Sequence, residues 1–330
     1  MINNKVLKKY IDKVQKNDNL RYPLIVVLGP TAVGKTDLSL NMAENLNAEI
    51  ISADSMQIYK EMNIGTAKVS KKIRNKIPHH MIDVIKPDQN FSVADYQEYI
   101  DNLIPKIINK GKIPLMVGGT GLYINAVVDG FMLPDMEPDY NLRKDLRQKS
   151  KKHGNEYVHD ILKEIDPPLA EKLHPNDLRR VIRGIEIYRI TGKTKTYYKD
   201  KQEKKKERYK TIKIGLKRER EELYHRINER VEKMIEKGLI EEVKYLKNKY
   251  NLSKTAAQAL GYKEIMSYLN DEYDINEAKR IIKRDSRHYA KKQLSFFKRD
   301  KKINWFNLSK TKQSKILNEI FKLINKKFKV

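Results

Sequence analysis

The 330-residue sequence contains no cysteine, so a disulfide framework and a metal site built on thiolates are both excluded. It also lacks long hydrophobic segments. The longest strictly apolar run, residues 24–28, is far shorter than a membrane span or the core of a signal peptide. We therefore expect a cytoplasmic protein. Acidic residues are outnumbered, with 43 aspartates and glutamates against 69 lysines and arginines.

The excess of basic over acidic residues leaves a formal net charge of +26. A charge of this size is typical of proteins that bind a polyanion, with nucleic acid the first candidate and a membrane surface the second. A genome rich in A and T would also raise the lysine, asparagine and isoleucine content, so charge alone does not name the partner. With 39% hydrophobic and 34% charged residues, the composition is that of a globular protein.

The first apolar run leads into a phosphate-binding loop of the pattern G-x-x-x-x-G-K-[ST]. Its members are Gly29, Pro30, Thr31, Ala32, Val33, Gly34, Lys35 and Thr36. Glycines let backbone amides point at phosphate oxygens, the following helix adds its N-terminal dipole, and Lys35 adds a full positive charge. The Thr36 hydroxyl is a candidate ligand of Mg²⁺. Such loops serve ATPases, GTPases and kinases alike, so the motif predicts a ligand class and not a reaction.

Four short runs predict the strands of a parallel sheet: residues 24–28, 48–53, 113–117 and 211–216. Helical spacing follows the first run and flanks the third. Strands that alternate with helices are typical of an α/β fold, in which helices cover both faces of the sheet. Together with the phosphate loop, this pattern predicts an α/β protein with a parallel sheet like that of P-loop NTPases.

Composition divides the chain into five parts. Residues 1–21 predict a loose N-terminal arm, and residues 22–135 the first part of the catalytic core. Residues 136–210, where prolines separate short charged helical stretches, predict an inserted all-helical domain. Residues 211–300 return to the core and carry basic helices, and residues 301–330 predict a C-terminal helix or tail.

The aspartate that usually accompanies a phosphate loop is missing from its usual place. In NTPases an apolar strand ends in Asp, which holds the magnesium shell, but the strand at 113–117 is followed by Gly118, Gly119 and Thr120. Asp54 follows the strand at 48–53 instead. Because the carboxyl ends of parallel strands line one crevice, we predict that Asp54 lies beside the bound phosphates as a general base. An N-cap or a metal-shell acid is the alternative.

Several blocks, in this order along the chain, resemble the tRNA dimethylallyltransferases. They are residues 29–36, 54–59, 64–68, 118–123, 174–177, 179–183 with 191–193, 261–263, and 286–287 with 290–293. Each block alone is weak, but together they are highly specific. The resemblance implies an enzyme that moves a dimethylallyl group from dimethylallyl diphosphate to N6 of the adenosine immediately 3′ of the tRNA anticodon.

The resemblance also implies roles for single residues. The phosphate loop, Mg²⁺ and Arg230 would bind the leaving diphosphate, and Asp54 would accept or hydrogen-bond the N6 proton. Thr120 corresponds to a position that touches the target nucleotide. The alternative for Arg230 is a helix-surface ion pair with Glu236. The implied partners are the donor diphosphate and the tRNA anticodon stem-loop, with no membrane partner, and a monomer is expected.

A larger set of tRNA contacts is implied as well, in the core and in the insertion at 136–210, which would bind the anticodon stem. The set consists of Asp54, Ser55, Met56, Gln57, Thr120, Arg143, Arg179, Arg180, Val181, Ile182, Arg183, Gln258, Gly261, Tyr262, Lys263, Arg287, Lys291, Lys292 and Gln293. A stacked adenine hides its amine, so the base must be extruded into the site while cationic side chains hold the flanking phosphates. For any single lysine the alternative is a merely solvated basic helix.

Three rival functions stay open at the level of sequence. The first is a dimethylallyltransferase that acts on a free adenine nucleotide, which would need no large basic surface. The second is a small-molecule kinase, with ATP in the loop and Asp54 as the base for an acceptor hydroxyl. The third is a nucleotide-gated RNA-binding module without catalysis.

Overall fold

A computed structural model describes residues 5–17, 19–134, 136–203 and 207–329. The chain folds as two compact units, one formed by residues 1–128 and 208–330 and the other by residues 129–207. Parts of the predicted ranges lie outside the described residues, namely residues 1–4, 18, 135, 204–206 and 330.

The first unit is built on a six-stranded sheet. Its strands are β1 (Tyr22–Leu28), β2 (Ala48–Ala53), β3 (His79–His80), β4 (Ile113–Gly118), β5 (Tyr209–Lys217) and β6 (Ile303–Asn307). All neighbouring strands run parallel, in the order β3-β2-β4-β1-β5-β6. The central strands are buried on both faces, as expected where helices cover a parallel sheet. The predicted α/β fold class is confirmed.

Helices surround this sheet and make up the second unit. Those before the second unit are α1 (Lys5–Lys16), α2 (Lys35–Leu46), α3 (Lys71–Lys76), α4 (Val93–Asn109) and α5 (Gly121–Val128). Those of the second unit are α6 (Tyr140–His153), α7 (Asn155–Ile165), α8 (Pro167–Ala170), α9 (Leu178–Thr191) and α10 (Lys195–Glu203). Those that follow are α11 (Arg220–Glu236), α12 (Leu239–Lys249), α13 (Tyr262–Tyr268), α14 (Ile275–Phe297) and α15 (Gln313–Phe328). None of the described helices is both long and apolar enough to cross a bilayer.

The second unit has a small hydrophobic core of its own. Leu146, Val158, Leu162, Val181 and Ile185 are buried in it, and its described residues contain no strand. The insertion predicted to end at residue 210 ends earlier in the structure, because Tyr209 and Lys210 are the first residues of β5.

The N-terminal segment is not the loose arm predicted for residues 1–21. Leu7, Ile11 and Val14 of α1 are at most 3% exposed, and the helix packs against α15, β1 and α4. Spacings of four and three residues place these apolar side chains on one face. Lysines between them hide the pattern when the segment is judged by composition.

The C-terminal residues 301–330 are not a tail either. β6 pairs with β5 and extends the sheet by one strand. In α15 every fourth residue is apolar and buried, namely Ile316, Ile320, Ile324 and Phe328. This spacing makes one continuous apolar face, which the surrounding lysines obscure in the sequence.

The packing of the two termini can be tested at Phe328, which is fully buried with its ring edge-on to Tyr10 at 5.3 Å between centroids. We expect Phe328→Ala to lower the free energy of unfolding by about 3–5 kcal/mol, measured by urea denaturation, because it leaves a cavity in the core. Lys326→Ala, at an exposed position of the same helix, should change it by less than about 0.5 kcal/mol. If both substitutions changed the free energy of unfolding by the same small amount, the C-terminal helix would be only loosely attached.

Candidate active site

Three loops of the first unit begin at the same level of the sheet. Gly118 at the end of β4 pairs with Leu28 at the end of β1 on one side and with Ala53 at the end of β2 on the other. The phosphate loop follows β1, Asp54 follows β2, and Gly119 and Thr120 follow β4. Parallel strands bring all three to one edge, where α/β proteins bind their ligands.

The middle strand, β4, ends at Gly118 and is followed by Gly119, so no side chain stands at its carboxyl end. A Cβ atom on Gly118 would lie 2.1 Å from the carbonyl oxygen of Ala53, and one on Gly119 would lie 2.2 Å from Nε2 of Gln293. An acid in the usual place, at the end of β4, would therefore not fit. Asp54, which directly follows the neighbouring strand β2, is the carboxylate that lies at this edge of the sheet.

Two arginines hold the phosphate loop through hydrogen bonds to its backbone carbonyl groups. Arg226 Nε donates a hydrogen bond to the carbonyl of Ala32 at 2.9 Å, and Arg218 Nε donates to that of Val33 at 2.9 Å. Ala32 has a left-handed backbone with a φ of 61°. Left-handed residues in such turns help backbone amides to converge on an anion.

Lys35 folds over the same loop. Its Nζ donates hydrogen bonds to the carbonyl oxygens of Gly29 at 3.0 Å and Pro30 at 2.7 Å. Burial and the charge of nearby Arg230 together lower the pKa of Lys35 to about 7, while Asp54 acts in the opposite sense. Two cations therefore crowd one small region, which suits a multiply charged anion.

A cavity of about 630 Å³ lies over the loop and is rich in basic groups. Arg226, Arg230 and Lys233 of α11 line it, as does Lys237 directly after the end of that helix, at spacings of four, three and four residues. Among the described residues, no hydrogen bond or ion pair uses the Arg230 guanidinium, so the pair with Glu236 does not form. Burial lowers the pKa of Arg230, and Asp54 partly opposes that shift.

A second cavity, of about 300 Å³, is mostly apolar. Its apolar lining consists of Met56, Ile227, Val231, Met234, Ala259, Leu260 and Ile282. Three of these residues, Ile227, Val231 and Met234, are spaced four and three apart along α11 and lie on its buried face. The two cavities share Thr31, Asp54, Thr66, Arg230, Met234 and Tyr289. A basic compartment and an apolar compartment thus meet at Asp54.

Asp54 caps the turn that follows β2. Its Oδ1 accepts a hydrogen bond from the Met56 amide at 2.9 Å, which makes it a turn cap. The other carboxylate oxygen has no hydrogen-bond partner among the described residues. The neighbouring Ser55 amide donates to Thr120 Oγ1 at 3.1 Å, so Asp54 and Thr120 are held close together.

The oxygen donors around the loop fit magnesium. Thr36 and Asp37 begin α2, and both line the basic cavity with Asp54. Within the described ranges, no cluster of three or more His, Cys, Asp or Glu side chains could hold a metal by itself. Mg²⁺ usually takes one or two protein ligands, several waters and substrate phosphates. The residues therefore suit a magnesium ion that arrives with a phosphorylated ligand.

The model of a protein family described as IPP transferase matches residues 57–300. This chain belongs to that family. A tRNA dimethylallyltransferase of Halothermothrix orenii is 64% identical over 301 residues, covering 91% of this chain and 92% of that one. A tRNA dimethylallyltransferase of Carboxydothermus hydrogenoformans is 49% identical, covering 90% and 96%. The resemblance found in the sequence is confirmed.

Solved structures of the family superpose on this fold. The tRNA isopentenylpyrophosphate transferase of Bacillus halodurans matches with a TM-score of 0.70 and 41% identity, covering 93% of this chain and 97% of that one. A eukaryotic dimethylallyltransferase captured acting on tRNA matches with a TM-score of 0.74 and 28% identity, covering 88% of this chain and 74% of that one.

Residues of the loop after β2 divide between the two cavities of this IPP transferase. Ser55 and Met56 line the apolar cavity, and Gln57 lines the basic one. The Gln57 amide is already engaged, because its Oε1 accepts from Ser52 Oγ at 2.9 Å and its Nε2 donates to the Thr66 carbonyl at 3.2 Å. Gln57 therefore braces the loop at 64–68, a further block of the family resemblance.

The same loop is held from its other side by Glu242. The carboxylate accepts hydrogen bonds from the amides of Asn63 and Ile64, both at 2.9 Å, and from Tyr262 Oη at 2.6 Å. Gly65 is needed here, since a Cβ atom would lie 2.3 Å from the Tyr262 ring. Sequence reasoning missed Glu242, because nothing local in α12 indicates its partners.

The side chains predicted to contact tRNA in the first unit are not all accessible. Gln258, Lys291 and Lys292 are exposed, whereas Gly261 and Tyr262 are buried. The prediction is corrected for Tyr262, because its buried side chain has no surface to offer to RNA. Gly261 has no side chain, and its contact with tRNA stays a prediction.

Two more residues of that set are partly engaged with protein groups. Lys263 pairs with Glu264 at 3.3 Å and with Asp285 at 3.5 Å. Arg287 donates to the Asn228 side chain at 2.7 Å. Both remain half-buried and could contact RNA only in part.

Tyr289 is a site residue that sequence reasoning missed. It lines both cavities. Burial and the charge of Asp54 raise the pKa of Tyr289 to about 12. The available signal was its position four residues before Gln293, which places both side chains on one helix face.

In the second unit, the predicted tRNA-contact segment of α9 alternates between buried and exposed. Arg179 and Arg180 are exposed, and Arg180 pairs with Asp177 at 3.1 Å. Val181 and Ile182 are at most 3% exposed and pack in the core of the unit. The prediction for these two is corrected, because they supply the apolar face that attaches the helix.

Arg143 and Arg183 share a buried carboxylate, Glu186. Arg143 donates through Nε at 2.7 Å and Nη2 at 2.8 Å, and Arg183 donates through Nη1 at 2.6 Å. Burial by itself would raise the pKa of Glu186, but the two arginines outweigh it and the pKa is lowered overall. Both arginines are therefore held in place before any RNA arrives.

This arrangement predicts a pH-dependent contribution to stability. Because the folded pKa of Glu186 lies below its unfolded value, the contribution is complete above the unfolded value and is lost as pH falls through the folded one. Near neutral pH, Glu186→Gln should lower the unfolding free energy by about 1–3 kcal/mol in urea denaturation. The difference from the unmodified protein should shrink below about pH 4. The control is Glu164→Gln, at an exposed position. If the loss of unfolding free energy in Glu186→Gln did not depend on pH, the loss would be due to packing and not to the charge of Glu186.

Proposed function

We propose that this chain transfers a dimethylallyl group from dimethylallyl diphosphate to N6 of the adenosine immediately 3′ of the tRNA anticodon. The bond between C1 of the donor and N6 forms, the bond between C1 and the diphosphate oxygen breaks, and diphosphate leaves. The proton of N6 passes to Asp54. Membership of the IPP transferase family and relatives named tRNA dimethylallyltransferase support the reaction class.

The observation that carries the proposal is the meeting of two unlike cavities at Asp54. A diphosphate suits the compartment of the phosphate loop, Lys35 and Arg230, and a five-carbon chain suits the apolar compartment. A donor that spans both would have its reacting carbon near the carboxylate. Each part of dimethylallyl diphosphate thus has a complementary surface.

On the donor side, the chain's task is to stabilise charge that develops on the leaving diphosphate. Loop amides, Lys35 and Arg230 are arranged before the reaction, so they need not reorganise as the bond breaks. Thr36 would hold Mg²⁺ together with the diphosphate, and the ion would supply further neutralisation of its charge. Because the loop grips a leaving group rather than a transferring phosphoryl group, it needs no carboxylate at the end of β4.

On the acceptor side, Asp54 and Thr120 stand where an extruded adenine could present its amine. The free oxygen of Asp54 can accept the N6 proton as the amine attacks. Exposed cations, including Arg179, Lys291 and Lys292, are available to flanking phosphates. A kinase acting on a small hydroxyl would need no apolar compartment beside its base, and a free-nucleotide acceptor would need no such surface cations.

The first experiment is mass spectrometry of unmodified tRNA incubated with the protein, dimethylallyl diphosphate and Mg²⁺. We expect one five-carbon unit on the adenosine 3′ of the anticodon. A tRNA with guanosine at that position should gain none. Binding without a mass gain, accompanied by turnover of ATP to ADP, would instead support the kinase.

Asp54→Asn tests the proposed base. The variant should slow transfer by about 10²- to 10⁴-fold, because it removes the proton acceptor, and tRNA binding should be unchanged in a filter assay. Asp12→Asn, at an exposed aspartate of α1, should transfer at the normal rate. Normal transfer by Asp54→Asn would eliminate this residue as the base.

Arg230→Met tests the diphosphate site. We expect KM for dimethylallyl diphosphate to rise by about 10- to 100-fold, since hydrogen bonds to a charged group are lost. The Kd for tRNA should be unchanged. Arg230→Lys should be intermediate, because it keeps the charge and loses the planar fork. Arg220→Met, at an exposed position of the same helix, is the control, and an unaltered donor KM in Arg230→Met would place the diphosphate elsewhere.

A further inference from the structure

Gln293 bridges two of the three loops that form the site. Its Oε1 accepts a hydrogen bond from the Thr31 amide of the phosphate loop at 2.9 Å. Its Nε2 donates to the carbonyl of Gly119, after β4, at 3.0 Å. One amide side chain on α14 thus joins two loops that are distant from it in sequence.

Close packing leaves Gln293 little freedom. The residue is 7% exposed, and the Cα of Gly119 approaches it so closely that a Cβ atom there would lie 2.2 Å from Nε2. Tyr289, one helical turn earlier, lines the basic cavity together with Gln293 and Gly119. The bridge is therefore part of a rigid arrangement rather than a surface contact.

The bridge connects the donor side of the site with the acceptor side. Thr31 lies in the loop that would grip the diphosphate, and Gly119 precedes Thr120, whose hydroxyl holds the Ser55 amide next to Asp54. A shift in either loop would change the distance between the donor carbon and the attacking amine. Small misplacements of this kind strongly slow a transfer reaction.

We propose that Gln293 is a positioning residue, which sets the phosphate loop and the loop at Gly119 and Thr120 at the separation that transfer requires. This inference rests on the proposed function and replaces the tRNA contact that the family resemblance implied for Gln293. It also assigns the Thr31 amide to the bridge, so the diphosphate is bound by the amides that follow Thr31 in the loop.

The test is a comparison of Gln293→Met, which keeps the side-chain length and removes both hydrogen bonds, with Gln293→Asn, which keeps the amide but shortens its reach. Ser295→Ala, at an exposed position of the same helix, is the control. Transfer is measured at saturating donor and tRNA, the tRNA Kd by filter binding, and folding by circular dichroism and thermal unfolding. Only folded variants are compared.

We expect kcat of Gln293→Met to fall by about 10- to 100-fold, with the tRNA Kd unchanged and Gln293→Asn intermediate. A raised tRNA Kd with normal kcat at saturation would overturn the inference in favour of an RNA contact. A lowered unfolding temperature with normal kcat would overturn it in favour of a purely structural role. Absence of transfer by the unmodified protein would refute the proposed function itself, and so is distinguishable from both.

Discussion

The site depends on the close approach of three parallel strands whose middle member ends in glycine. Gly118 pairs with Leu28 on one side and Ala53 on the other, so the loops after β1, β2 and β4 begin at one level. Any side chain on Gly118 would collide with the carbonyl of Ala53. This constraint moves the carboxylate of the site to Asp54, between a basic cavity and an apolar one. In the proposed reaction, the phosphate loop therefore acts with Asp54 and not with an acid at the end of β4.

Sequence patterns predicted the central strands well, because fully buried parallel strands are short apolar runs bounded by glycine or helical spacing. The loop at 29–36 and Asp54 were equally clear, since both follow such strands directly. The packed ends of the chain were not predicted, because lysines interrupt the apolar faces of α1 and α15. Glu242 was missed for a different reason: its partners lie far away in sequence, and no local pattern encodes them. The four-residue spacing of Tyr289 from Gln293 indicates a site residue only once Gln293 is known to contact the loops.

The basic side chains of the protein differ in what they contact. Arg218 and Arg226 hold the phosphate loop through its carbonyls, and Arg143 and Arg183 are oriented by the buried Glu186. Such residues contribute less free charge than a count of lysines and arginines suggests. The +26 formal charge therefore overstates the charge that is free to act on a polyanion.

Burial is the largest cause of the lowered pKa of both Lys35 and Arg230, and the charge of Arg230 adds to the shift of Lys35. Without an anion this arrangement is unfavourable, and the single charge of Asp54 offsets it only in part. The hydrogen bonds from Lys35 to Gly29 and Pro30 keep the ammonium group solvated by backbone oxygens meanwhile. In the proposed reaction, a diphosphate that gains charge as its allylic bond breaks would relieve this repulsion further. The proposed site would accordingly match the leaving group better than the intact donor, which is the condition for a bound group to accelerate bond cleavage.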